Sequence, residues 1–159
     1  MFLLLSAALA APVTLDFDDG TTGTSLGTYQ GYVVSPSTAQ FYDNLNNSHG
    51  PPRSGSQVLL NNTRSTPDMV FVRDGGGTFR VVEGYLSDYD AGGIDARVEG
   101  YLGGSQVFSL TFTDIPGSSW VRFAPDELVD ELRFVTTTSS GALQVDDLTL
   151  DVDLCLGDD

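Results

Sequence analysis

The chain has 159 residues, enough for one domain with a full hydrophobic core and too few for two comfortable ones. Seven basic residues, every one an arginine, face 22 acidic ones, giving a net charge of −15 and an isoelectric point near 4.1. That balance repels phosphate backbones and anionic lipid surfaces and so argues against nucleic acid or an electrostatically held membrane as partners, while suiting an extracellular protein or one that holds a hard cation.

Residues 1–10, MFLLLSAALA, carry an apolar run from Phe2 to Leu9 with Ala8-Leu9-Ala10 at its end. They resemble the end of a secretory signal peptide, although no Lys or Arg precedes the run. The expected organisation is a signal peptide over 1–10, one β-sandwich domain over 12–153 and an acidic tail over 154–159, with a secreted address. No stretch is long and apolar enough to span a bilayer as a helix. Cys155, the single cysteine, excludes an internal disulfide and either stays free or pairs between molecules.

Period two dominates the domain. Val13, Leu15 and Phe17 alternate with Thr14, Asp16 and Asp18, which predicts a first strand with an apolar face and an acidic one. Tyr42 to Arg53, rich in Asn, Gly and Pro, reads as an exposed loop. The sequons Asn46-Asn47-Ser48 and Asn61-Asn62-Thr63 lie in polar, turn-like sequence where a eukaryotic source could attach a glycan. Further on, Ile94, Ala96 and Val98 alternate with Asp95, Arg97 and Glu99, and Phe108, Leu110 and Phe112 with Ser109, Thr111 and Thr113. Gly103-Gly104 between them predicts a tight hairpin.

Trp120 heads another alternating run and reads as a core residue. Pro125 to Leu132, with Leu128 and Leu132 four apart behind Asp126, is the one candidate for a short helical turn. Leu132 and Phe134 flank Arg133 in a further strand. In Leu143 to Leu150 the apolar residues are odd-numbered up to Val145 and even-numbered from Leu148. A strand changes phase only by an extra residue, so a β-bulge is expected at Asp146-Asp147. Strands at this spacing, with turn clusters between them, predict an all-β, antiparallel two-sheet sandwich.

The order of these motifs resembles a known group of domains. Leu15-Asp16-Phe17-Asp18-Asp19, Gly31-Tyr32, Leu59-Leu60-Asn61-Asn62, Gly77-Thr78-Phe79, Val98-Glu99-Gly100-Tyr101, Trp120-Val121-Arg122-Phe123 and Val145-Asp146-Asp147-Leu148 follow one another as in the secreted jelly-roll domains of PEP-CTERM-type surface proteins. Those domains are akin to galactose-binding-like domains and carbohydrate-binding modules. The resemblance implies a jelly roll and a structural calcium ion that ties the first strand to the last. On this sequence the calcium ligands would come from Asp16, Asp18, Asp19, Asp146 and Asp147, carboxylates that repel one another unless a proton or cation intervenes. Read otherwise, the same aspartates are solvated turn formers.

Function reads as binding. The six tyrosines and Trp120 are more aromatics than a core needs, and sugar rings stack on such side chains, which makes a glycan or cell-surface polymer the expected partner. The ligand-contacting residues are not readable from sequence. The alternative is a structural or adhesive surface protein, assembling through Cys155 or sheet edges. A third reading, a polysaccharide-active enzyme, finds little support. His49 is the only histidine, Gly75-Gly76-Gly77 lacks a following Lys-Ser/Thr, and no run such as Glu-x-Asp-x-x-Glu appears on one strand face.

Overall fold

The computed structural model describes residues 11–36, 38–43, 51–61, 68–90, 92–138 and 141–152. The leader, Asn46, His49, Cys155 and the acidic tail lie outside these. Thirteen strands run through the described residues: β1 (Val13–Leu15), β2 (Gly27–Tyr29), β3 (Tyr32–Ser35), β4 (Ala39–Asp43), β5 (Gln57–Asn61), β6 (Met69–Arg73), β7 (Phe79–Asp88), β8 (Ile94–Leu102), β9 (Ser105–Ile115), β10 (Val121–Phe123), β11 (Glu127–Val129), β12 (Glu131–Thr136) and β13 (Leu143–Asp151).

They form two antiparallel sheets, as the period-two patterning predicts. The first has the order β10-β7-β13-β5-β4, with β1 also on β13 and β11 also on β7; the second has the order β2-β3-β6-β12-β8-β9. Leu15, Leu59, Val81, Leu86, Val145 and Leu148 from the first sheet meet Val34, Phe71, Val98, Leu132 and Phe134 from the second in one buried core. Phe134 packs edge-on against both Phe71 and Phe123, at centroid distances of 5.7 and 5.8 Å. Burial on one face and alternation to the other is what fixes strand register here, since a slip of one residue would exchange core for solvent.

Several expectations hold in detail. β8 and β9 are joined by Gly103-Gly104, both at positive φ (57° and 77°), the geometry that a two-residue hairpin turn demands and glycine supplies. β13 changes register between Asp146 and Thr149, with Asp147 at φ 45°, so the bulge read from the phase change is present. Other expectations are corrected. Residues 125–132 contain no helix. Asp126, at φ 53°, breaks the chain direction, and β11 and β12 then join different sheets, with Val129 and Leu132 rather than Leu128 and Leu132 turned inward. Phe17, at φ 59°, lies just past β1, which ends at Leu15. Asn61 is only 2% exposed within β5, so a folded chain offers no acceptor amide there.

Gly84 on β7 tests the packing. A Cβ there would lie 2.5 Å from Cζ of Phe123 and 3.1 Å from Cδ1 of Leu148, both buried. Gly84→Ala is expected to cost about 1–3 kcal/mol by overpacking. Gly92→Ala, with nothing within 4 Å of the new atom, is expected to be close to neutral. Thermal unfolding of the two variants side by side checks the contrast.

Candidate functional site

β1 runs antiparallel beside the C-terminal half of β13, with Val13 opposite Leu150 and Leu15 opposite Leu148. The first and last strands are therefore neighbours, and the acidic clusters at their ends converge on one segment, residues 53–57. Alternation with the core residue Val145 turns Asp146 to the outward face of the first sheet, in register with Tyr85 on β7, yet the side chain is 0% exposed. Its carboxylate accepts the backbone N–H groups of Arg53 (2.9 Å), Ser54 (3.2 Å) and Asp147 (2.8 Å). Asp147 accepts the Ser54 hydroxyl at 2.6 Å and pairs with the Arg53 guanidinium. That guanidinium also lies over the Tyr85 ring, 3.5 Å from its centre.

Asp18 holds the other end of the segment. Its Oδ1 accepts the N–H groups of Ser56 (2.6 Å) and Gln57 (2.9 Å). Gly55 packs so tightly on this carboxylate that a Cβ would sit 1.4 Å from Oδ2, and Gly55 itself has φ 51°. Segment 53–57 is thus held by carboxylates from both ends of the domain. The remaining two of the five predicted ligands are engaged elsewhere: Asp16 accepts the N–H of Asp18 at 3.3 Å, and Asp19 hydrogen-bonds Tyr29.

Burial pushes the Asp146 carboxyl up to about 7. The N–H groups of Ser54, Asp147 and Arg53 pull the other way, and the charge of Asp147 adds to the rise. Asp146 and Asp147 share the Arg53 end of the segment while Asp18 holds the other end. Two adjoining carboxylates beside one guanidinium at a partly dry site are chemistry that fits a hard cation. Among the described residues no three acidic, His or Cys side chains stand together closely enough to hold a metal ion. A cation here would draw on no more than two carboxylates and complete its shell with carbonyl, hydroxyl or water oxygens.

A second feature occupies the same outward face. Two cross-strand rows run along it: Gln40, Leu60, Gln144 and Ser87, then Tyr42 and Val58, with Asp146, Tyr85 and Arg122 beyond them. Tyr89, just past the end of β7, meets Tyr42 on β4 edge-on, with the two hydroxyls 2.9 Å apart. The hydrogen bond with Tyr42, together with burial, raises the Tyr89 hydroxyl to about 12. Because β13 and β5 lie between β7 and β4, this pair spans the strands that carry Gln144 and Leu60. Gln144 is 1% exposed, and neither Oε1 nor Nε2 of its amide has a hydrogen-bond partner.

Trp120, expected in the core, is half-buried on this side instead. Val121 and Phe123 take the inward positions of β10, which leaves Trp120 on the outward parity with Arg122. Its indole N–H donates to the Pro51 carbonyl at 3.2 Å. The nearby carboxylate of Glu83 is held by Arg122 at 2.8 Å. No sequence signal pointed to Gln144, because an amide in an apolar strand becomes informative only when its partners are known.

No protein-family model matches the chain, and no curated protein matches it. Solved structures do. The K2 cleaved adhesin domain of Lys-gingipain aligns at a TM-score of 0.57 and 13% identity, over 89% of this chain and 98% of that one. The CBM22-1 xylan-binding domain of Paenibacillus barcinonensis Xyn10C aligns at 0.53 and 15% identity, over 95% and 100%. The CBM22-1-CBM22-2 tandem of the same protein aligns at 0.54 and 16%, over 97% of this chain and 49% of that one. At such identities the likeness speaks for architecture, and the architecture is that of a jelly-roll β-sandwich.

Proposed function

We propose that the chain is a secreted, non-catalytic binding module for a glycan, with a structural calcium ion held by Asp146 and Asp147 where the bulge meets segment 53–57. The observation that carries the glycan reading is Gln144. A buried amide with all its hydrogen-bonding capacity unused is costly unless a ligand or water meets it. Tyr42, Tyr89 and Trp120 share its outward face. Since Gln144 is 1% exposed, a sugar would reach the amide as the Tyr42–Tyr89 pair parts, stacking on the aromatic faces while the amide meets its hydroxyls. The likeness to a xylan-binding domain supports the same class of partner. Calcium, when bound, supplies positive charge that keeps Asp146 ionised and fastens segment 53–57 between the first and last strands.

Gel electrophoresis through soluble xylan, galactan, mannan and β-glucan tests the binding. The wild type is expected to be retarded by at least one of the four. Gln144→Leu is expected to lose that retardation while unfolding at the same temperature or slightly higher, since it removes an unsatisfied buried amide. A residue with a purely structural role would show the opposite. Unhindered migration of the wild type in all four gels, or full retardation of Gln144→Leu, overturns the glycan reading.

A further inference from the structure

The second sheet ends on β9, and this edge is unlike the others in the domain. The opposite edge of that sheet, β2, has 3 residues, and the first sheet ends on strands of 3 residues (β10, β11) and 5 residues (β4). β9 has 11 residues, and from Ser105 to Thr113 it contains neither a charged residue nor a proline. Proteins ordinarily blunt long edges with such residues, because an open row of N–H and C=O groups invites another strand.

The core side of β9 is also incomplete. Phe108, Leu110 and Phe112 point inward against the core but remain only partly buried, and among the described residues no strand pairs with β9 beyond the edge. At the hairpin end, Leu102 and Val107 are 36% and 41% exposed, two of the three large apolar side chains fully at the surface among the described residues.

We infer that β9 is a dimerisation edge that pairs antiparallel with β9 of a second copy. A second copy fits better than an unrelated strand for two reasons. A chain of net charge −15 repels itself over most of its surface, and this strip is free of charge. An antiparallel two-fold near Leu110 is also self-complementary: it places Phe108 beside the second copy's Phe112, Leu110 beside its own counterpart, and Val107 opposite the second copy's Thr113. The two half-covered apolar rows then bury each other on the same side of a continuous sheet.

Sedimentation of the full chain over a range of concentrations, with reductant present so that Cys155 cannot link copies, tests this. The wild type is expected to reach twice the monomer mass. Val107→Asp/Thr113→Asp alters two side chains that are exposed in the monomer and sets like charges opposite each other twice across the seam. It is expected to weaken association by about tenfold or more with unfolding temperature measured at a concentration where both proteins are monomeric left unchanged. Val13→Asp, at the other exposed apolar residue, is expected to leave association as it is. A wild type that stays monomeric throughout, or a dimer that survives the double substitution, overturns the inference.

Discussion

Asp146→Ala is expected to destabilise the domain by about 3–5 kcal/mol, a large share of a typical folding free energy. The side chain is completely buried, and three backbone N–H groups, on Arg53, Ser54 and Asp147, would lose their acceptor at once. Segment 53–57 would keep its bonds to Asp18 at one end and to Asp147 at the other, so the damage should begin as local loosening of that segment. Asp146→Asn separates acceptor from charge. Its amide oxygen can still take the Arg53 and Ser54 N–H groups, while its NH₂ group would face the N–H of Asp147. A smaller loss, about 1–2 kcal/mol, is expected. Denaturant unfolding measures both, and hydrogen exchange at Ser54 and Ser56 reports whether the segment opens first. Equal losses for the two variants would mean that the carboxylate's charge, and not its acceptor oxygens, holds the segment.

How much of this was legible in the residues depends on where each interaction resides. Side-chain alternation announces itself, which is why the sheets, the Gly103-Gly104 hairpin and the Asp146-Asp147 bulge could be read directly. The acidic ends of the first and last strands were also visible as clusters. Their common partner was not, because segment 53–57 contributes mainly backbone N–H groups, and every residue but proline has one. Leu128 and Leu132 misled for a different reason. Spacing of four is shared by a helix face and by two short strands separated by a turn, and only the positive φ at Asp126 and the pairing with β7 and β8 decide between them. Residue type alone points Trp120 to the core. Parity with Phe123 decides otherwise, since two residues of opposite phase cannot both face inward on one strand.

The same carboxylate gives the hub a dependence on pH that a bound calcium ion would oppose. In chelator, Asp146 titrates near 7 in the folded chain against ~3.9 unfolded, so the folded state binds its proton more tightly. The stability this confers is fully present below the unfolded pKa and is lost as pH rises through 7. Between pH 8 and pH 5 the domain should therefore gain on the order of 3 kcal/mol from this group. Relief of the overall negative charge adds in the same direction, so the Asp146 share is the part that disappears in Asp146→Asn. Calcium favours the ionised form and should act oppositely: its stabilising increment should be large at pH 8 and shrink toward pH 5, as protons compete for the same oxygens. Thermal unfolding across this pH range, with calcium and with chelator, separates the cases. Curves that converge in acid and part in base place the ion on Asp146. Curves that coincide at every pH remove calcium from the hub, and leave Asp146 as a buried acid held by three backbone donors that loosens as it ionises.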